Sequence, residues 1–172
     1  MRIVGIDPGL QITGYGCVEL APGPGSHEPT LLEAGVIRLS PRKSLATRLT
    51  ELHLELGKLF DELAPALVVV EQLFTHYKHV RTGILMGHAR GVVLLAAAQR
   101  GIALDELTPN EVKKAITGNG HASKQIMQQA VAMQCKLDKL PSPPDVADAI
   151  AIALCASRRL AHARECEATV AK

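Results

Sequence analysis

The stretch RIVGIDPGLQITGYGCVEL, residues 2–20, sets the start of the fold. Its opening, RIVGID, is short, apolar and rich in β-branched residues, which is the composition of a strand, and it ends on Asp7 where Pro8 and Gly9 turn the chain. After the turn PGLQ, the segment ITGYGCVEL at 12–20 again suits a strand, so the two read as a hairpin. APGPGSHEP at 21–29 is dense in Gly and Pro and reads as a loop, leading to a third strand near 30–38. Three consecutive antiparallel strands result.

Beyond them the periodicity becomes helical. Leu45, Leu49, Leu52, Leu56, Leu59 and Leu63 recur at spacings of 4, 3, 4, 3 and 4, one apolar stripe that Pro65 stops. ALVVV at 66–70 is wholly apolar and reads as a strand buried on both faces, hence parallel to its neighbour. Glu71 ends it. A second helix is expected over about 79–99, with Gly83, Gly87 and Gly91 on one ridge. Glycine disfavours a helix by about 1 kcal/mol per residue, so something is expected to approach that ridge closely, either the sheet or a helix of the same chain or a second subunit. Residues 102–107 supply a fifth strand, TPNEVKKAITG and SKQIMQQAVAMQC two helices split by GNGHA, and the last helix runs from Pro143 and Pro144 to about Ala163. Strands first, then alternating helices and strands, predict a mixed α/β sheet flanked by helices.

The 172 residues fit one domain, expected over 1–164 with a flexible tail at 165–172. Apolar residues at 47% and charged ones at 21% exclude a disordered composition. Four aromatic residues, Tyr15, Phe60, Phe74 and Tyr77, leave the core to Leu, Ile, Val and Ala. The net charge of +2 is too small to indicate a nucleic-acid partner. Counted by region, 72–124 carries 7 Lys or Arg against 3 Asp or Glu, whereas 1–71 carries 6 against 9. A basic middle can mark an anionic partner, yet a solvated helix face is the commoner explanation. Cys17, Cys135, Cys155 and Cys166 are scattered without a C-x-x-C pair and read as reduced, mostly core thiols. With no charged leader before the first strand and no run of 18 apolar residues, cytoplasmic residence without a membrane partner is expected.

The chemistry lies in the acids. Asp7 and Glu71 each end a strand, and Asp145 and Asp148, three apart in the first turns of the last helix, share one face. Alone, such a pair is commonly a helix-start feature favoured by the dipole. The run AIAIALCA at 149–156 is apolar nearly all round, so this helix is expected to lie buried on the sheet with its start near the strand ends. Four carboxylates gathered there would repel one another unless divalent cations neutralised them. All-oxygen ligands match Mg²⁺, with Mn²⁺ as a substitute, better than zinc. Two such ions serve phosphodiester displacement.

GIDPGLQITGYG at 5–16, VVVEQLF at 68–74, MGHARGV at 86–92, TPNEVKKAITGNGHASKQ at 108–125 and PPDVADAIAIA at 143–153 together resemble the RuvC family of crossover (Holliday) junction endodeoxyribonucleases. The resemblance runs in order from residue 1 to about 160; each motif alone is weak, and five together are specific. It implies a ribonuclease-H-like, five-stranded mixed sheet and a catalytic, metal-binding set of Asp7, Glu71, Asp145 and Asp148. Some members carry His in place of the first acid of the last pair; Asp145 keeps this set all-carboxylate.

By the same resemblance, Lys113 and Lys124 match basic positions that meet the DNA backbone and scissile region, and Phe74 matches an aromatic that enters the junction. An exposed ring stacks on bases at roughly 1 to 3 kcal/mol each. Tyr77 and Lys78 beside it, and Lys114 beside Lys113, complete the expected DNA-contacting set. The family implies a homodimer making paired symmetric nicks in a four-way DNA junction with two Mg²⁺ ions per subunit, in recombination and repair, accompanied by the branch-migration proteins RuvA and RuvB.

Asp7-Pro8-Gly9 with Thr13 and Gly14 also resembles the first phosphate turn of sugar kinases and actin-like ATPases. Those proteins close two lobes on a nucleotide, and this chain has room for one and no second glycine-rich loop. A nuclease of ribosomal RNA precursors shares the opening motif without the VKK–SKQ stretch or the PPD start. A junction-binding module that has lost catalysis is disfavoured because every expected acid is present.

Overall fold

The structure, a computed structural model, describes residues 1–22, 28–73 and 80–170. Phe74, Tyr77 and Lys78 lie outside the described residues. A five-stranded sheet forms in the order β3-β2-β1-β4-β5. β1 (Arg2–Asp7), β2 (Ile12–Glu19) and β3 (Thr30–Arg38) make the antiparallel meander expected from the sequence. β4 (Leu67–Glu71) lies parallel to β1 and to β5 (Ala103–Leu107), as its unbroken apolar run requires.

Two layers of helix cover the sheet. On one face α1 (Leu45–Leu63) and α2 (Val80–Ala98) pack on Val4, Ile6, Val68 and Val70. α1 begins at Ser44, whose hydroxyl accepts from the Thr47 amide, and ends at Ala64 in the left-handed region just before Pro65. Leu52, Leu56, Leu59 and Leu63 of its stripe are buried, whereas Leu45 at the first turn is exposed. On the other face α3 (Pro109–Thr117), α4 (Lys124–Gln134) and α5 (Pro144–Val170) pack on Ile3, Val18, Val69 and Leu107. α3 opens with a reciprocal capping box between Thr108 and Glu111.

Glycines set how closely α5 lies on the sheet. A Cβ on Gly5 would come within 2.3 Å of the Ala149 carbonyl oxygen, one on Gly14 within 2.1 Å of that of Asp145, and one on Gly16 within 2.8 Å of the Ile150 Cα. The helix backbone therefore rests directly on β1 and β2, and Ala147, Ala149, Ala151 and Ala153, on both sides of the helix, are fully buried.

Two expectations are corrected. α5 does not stop near Ala163 but continues to Val170, so residues 165–170 are helical rather than a loose tail. Residues 161–170 contain neither Gly nor Pro and half of them are Ala or Glu, so nothing breaks the ladder. The second concerns the α2 glycine ridge. A Cβ on Gly87 would meet only the end of the Leu73 side chain at 3.9 Å, and one on Gly91 would meet nothing within 4 Å. Neither the sheet nor a helix of this chain, among the described residues, makes the close approach expected there.

Cys17 and Cys155 are buried, Cys135 is half-buried and Cys166 exposed, all as thiols. Among the described residues no helix is long and apolar enough to cross a membrane.

Candidate active site

Alternation along the strands decides where two of the acids point. Ile3 faces α5 while Val4 and Ile6 face α1, so with a period of two Gly5 and Asp7 share the face of Ile3. In β4, Leu67 and Val69 face α5 and Val68 and Val70 face α1, which places Glu71 on the α5 side as well. Ile6 and Val70 are partners in the parallel β1–β4 pairing. Asp7 and Glu71 therefore stand side by side at the carboxyl ends of adjacent parallel strands, the usual position of sites on open α/β sheets.

The other two acids arrive from above. Asp7 pairs in register with Gly14, and it is over Gly14 that the Asp145 carbonyl sits. The first turn of α5 is thereby set down beside Asp7, and Asp148 follows one turn later on the same face. All four acids line one open cleft of about 370 Å³. Lys113 of α3 and Lys124 of α4 line it too, with Pro8, Ile12, Met86 and Met127 as apolar wall.

Burial of charge marks this cleft. Asp7 is pushed up to about 7, first by burial and then by the charges of Asp148, Glu71 and Asp145, with Lys124 pulling the other way. Glu71 is likewise raised to about 7 by burial and by Asp148, against Lys113 and Lys124. Asp148 is raised by burial and by Asp145, with the two lysines opposing. The Lys124 Nζ lies 3.8 Å from the Asp148 Oδ2. That pair is largely solvated on the lysine side and is worth about 1 kcal/mol at most. Two lysines do not neutralise four acids.

The donor set fits hard divalent cations: among the described residues four carboxylates line the cleft, and no His or Cys does. Among the described residues, no three His, Cys, Asp or Glu side chains are placed so that they alone could hold a metal ion. A closed cage is what zinc demands, whereas Mg²⁺ is commonly held by one or two carboxylates together with water and substrate phosphate. Asp148, Glu71 and Asp145 all act on Asp7, and Asp148 acts on Glu71, and the open cleft leaves room for the remaining ligands.

Of the expected DNA-contacting residues, the structure brings Lys113 and Lys124 to the acids. Lys114, the next residue on α3, is exposed and does not line the cleft. Sequence reasoning gave Thr13 no part in this site. Its buried hydroxyl donates to the Gly9 carbonyl at 2.6 Å and accepts from the Gly9 amide at 3.2 Å, closing the turn that carries Asp7. The only available signal was its spacing of four from Gly9.

The strand order and the helices on both faces define a ribonuclease-H-like domain, with the acidic cleft at its parallel strand ends. The family model described as crossover junction endodeoxyribonuclease RuvC matches residues 3–156. A crossover junction endodeoxyribonuclease RuvC from Rhodopirellula baltica is 50% identical over 153 residues, covering 89% of this chain and 84% of that protein. The structure of Thermus thermophilus RuvC superposes with a TM-score of 0.81 at 33% identity, covering 93% of this chain and 96% of the other. The T. thermophilus RuvC in complex with Holliday junction substrate gives 0.84 at 30% identity, covering 95% and 97%. The chain belongs to the RuvC family of crossover junction endodeoxyribonucleases, and as such it is a metal-dependent hydrolase acting on DNA.

Proposed function

We propose that this protein resolves four-way (Holliday) DNA junctions by paired symmetric nicks, with Asp7, Glu71, Asp145 and Asp148 holding two Mg²⁺ ions per subunit, for which Mn²⁺ substitutes. The observation that carries the site assignment is the convergence of four carboxylates from β1, β4 and α5 on one cleft with two lysines beside them. When bound, the ions supply Lewis acidity to the scissile phosphodiester and to its nucleophile. Asp7 and Glu71 offer their oxygens from the ends of two interior strands, and Asp145 and Asp148 from a helix whose backbone rests on that sheet. This pre-organisation keeps the ligands from having to move during reaction.

Lys113 and Lys124 give the cleft its positive edge, and the DNA phosphates are drawn to it. Lys114, exposed on α3, meets more distant backbone. Phe74, Tyr77 and Lys78 belong to the segment after Glu71 and are assigned to the junction by their place in the sequence. The protein acts as a homodimer, since a two-fold pair of active sites matches the near two-fold symmetry of a junction, and the open glycine ridge of α2 is the surface we assign to that contact. It works in recombination and repair with RuvA and RuvB, in the cytoplasm.

Incubation with a synthetic four-way junction tests this directly. Symmetric nicks with Mg²⁺ or Mn²⁺, and binding without cutting in Ca²⁺ or chelator, are expected. Binding without cutting under every condition would make the chain a junction-binding module instead.

A further inference from the structure

Leu10 lies three residues beyond Asp7, with only Pro8 and Gly9 between them. Its side chain is buried among the leucines of α1. Its carbonyl oxygen accepts a fork of two hydrogen bonds from Arg48 in the first turn of α1, from Nε at 3.0 Å and from Nη2 at 2.6 Å. Arg48 does not line the cleft and touches none of the four acids. The partners are 38 residues apart, so the bond ties the Asp7 turn to a different layer of the fold.

Four backbone polar groups of this turn have partners, the Leu10 carbonyl among them. Gly9 is held through its amide and its carbonyl by Thr13, and the Gln11 carbonyl accepts from the Leu39 amide at 2.9 Å. A Cβ on Gly9 would fall within 2.2 Å of the Ile12 carbonyl oxygen, so the turn is already as tight as a chain permits. Thr13 and Leu39 bind it to its own sheet. Arg48 is the charged group that binds it to a helix, and a guanidinium fork on one carbonyl is both stronger and more directional than a neutral bond.

We infer that Arg48 is a positioning residue for metal uptake: by clamping the Leu10 carbonyl it holds the turn that carries Asp7 at the angle an incoming divalent cation needs. This rests on the reading of Asp7 as a metal ligand. Removing a group that orients a metal ligand typically costs roughly tenfold or more in affinity, and Arg48 acts on Asp7 through the turn that joins them. A merely structural role for Arg48, anchoring the start of α1, would lower the melting temperature and leave cation affinity as it was.

The test is Mn²⁺ binding to the whole protein, read as free Mn²⁺ by electron paramagnetic resonance, beside cleavage of a four-way junction. For Arg48→Ala, Mn²⁺ affinity should fall about tenfold, with the Mn²⁺ concentration for half-maximal cleavage rising by the same factor and junction affinity in Ca²⁺ unchanged. Arg48→Lys, which restores one donor and the charge, should recover part of the loss. Wild-type Mn²⁺ affinity in Arg48→Ala overturns the inference even where the protein melts earlier. Asp7→Asn separates the two claims. Loss of Mn²⁺ binding there with wild-type binding in Arg48→Ala removes only the role of Arg48, whereas undiminished binding in Asp7→Asn removes the metal-site assignment itself.

Discussion

The main-chain carbonyl of Asp145 lies over Gly14, whose missing side chain is what lets the start of α5 come down beside Asp7. A methyl group at residue 14 would stand 2.1 Å from that oxygen, far inside any real contact, so the helix start must lift. Gly14→Ala should lower cleavage by tenfold or more, on the order of 1.4 kcal/mol of barrier, while junction affinity measured in Ca²⁺ changes little. An undiminished cleavage rate would mean that the position of Asp145 and Asp148 does not depend on this contact.

Replacing an acid separates catalysis from stability. Asp7→Asn should cut the cleavage rate at least a hundredfold, on the order of 3 kcal/mol, and the same change of type at Glu71, Asp145 or Asp148 should do likewise. Without metal, Asp7→Asn should melt higher than the wild type at about pH 8, because it removes one of several charges that burial and mutual repulsion oppose. A melting temperature below the wild type there would contradict that electrostatic picture.

The metal-free protein should lose stability as pH rises. In the folded chain Asp7 and Glu71 keep their protons to about 7, whereas ordinary carboxylates of their kinds release them at 3.8 and 4.5. Over that interval the native state binds more protons than the unfolded one, so stability is greatest below it and falls through it. The loss should be on the order of 2 kcal/mol in a cleft open to solvent. Urea titrations at acid and neutral pH with chelator should show it, and added Mg²⁺ should reverse it at neutral pH. A flat profile would argue against the burial of these charges.

Lys113 and Lys124 border the acids, and their removal should be visible in the salt dependence of junction binding. Each Lys→Ala change should reduce the slope of log affinity against log salt by about 0.9 if the side chain meets a phosphate. Lys114→Ala should change the slope without altering the metal concentration needed for cutting. Equal slopes in wild type and both cleft variants would place these lysines away from the DNA backbone.

The α2 ridge gives a test of assembly. Among the described residues, Gly87 and Gly91 have open space outside them, so Gly87→Leu should fold normally yet dissociate the proposed homodimer in sedimentation. A variant that sediments as the wild type does would remove the ridge from the interface.

Much of this architecture was legible before any coordinates. The stripe from Leu45 to Leu63, the unbroken ALVVV run and the acids ending two strands each carry a local signal, because periodicity and burial act residue by residue. What stayed hidden depends on pairs distant in sequence. Gly5, Gly14 and Gly16 read as ordinary residues of a glycine-tolerant hairpin, and only the helix lying on them reveals their use. Arg48 reads as one more exposed charge near a helix start, since its partner is a backbone carbonyl and leaves no trace in composition. The continuation of α5 to Val170 shows the reverse case: the propensity was in the sequence, and the absence of a stop signal there outweighed the expectation of a frayed end.

The sheet separates the molecule into two storeys; all four acids face the storey of α5, while the turn that follows Asp7 is fastened towards the other. Asp7 ends β1 and leads into a turn fastened towards α1, whereas Asp145 and Asp148 ride on α5. A cation gripped by both groups would act as a stitch across the open end of the sandwich, so its arrival should be felt as slower hydrogen exchange in the opening turns of α5 as well as in the loop after β1. Exchange that slows in only one of the two would mean that the stitch does not span the storeys.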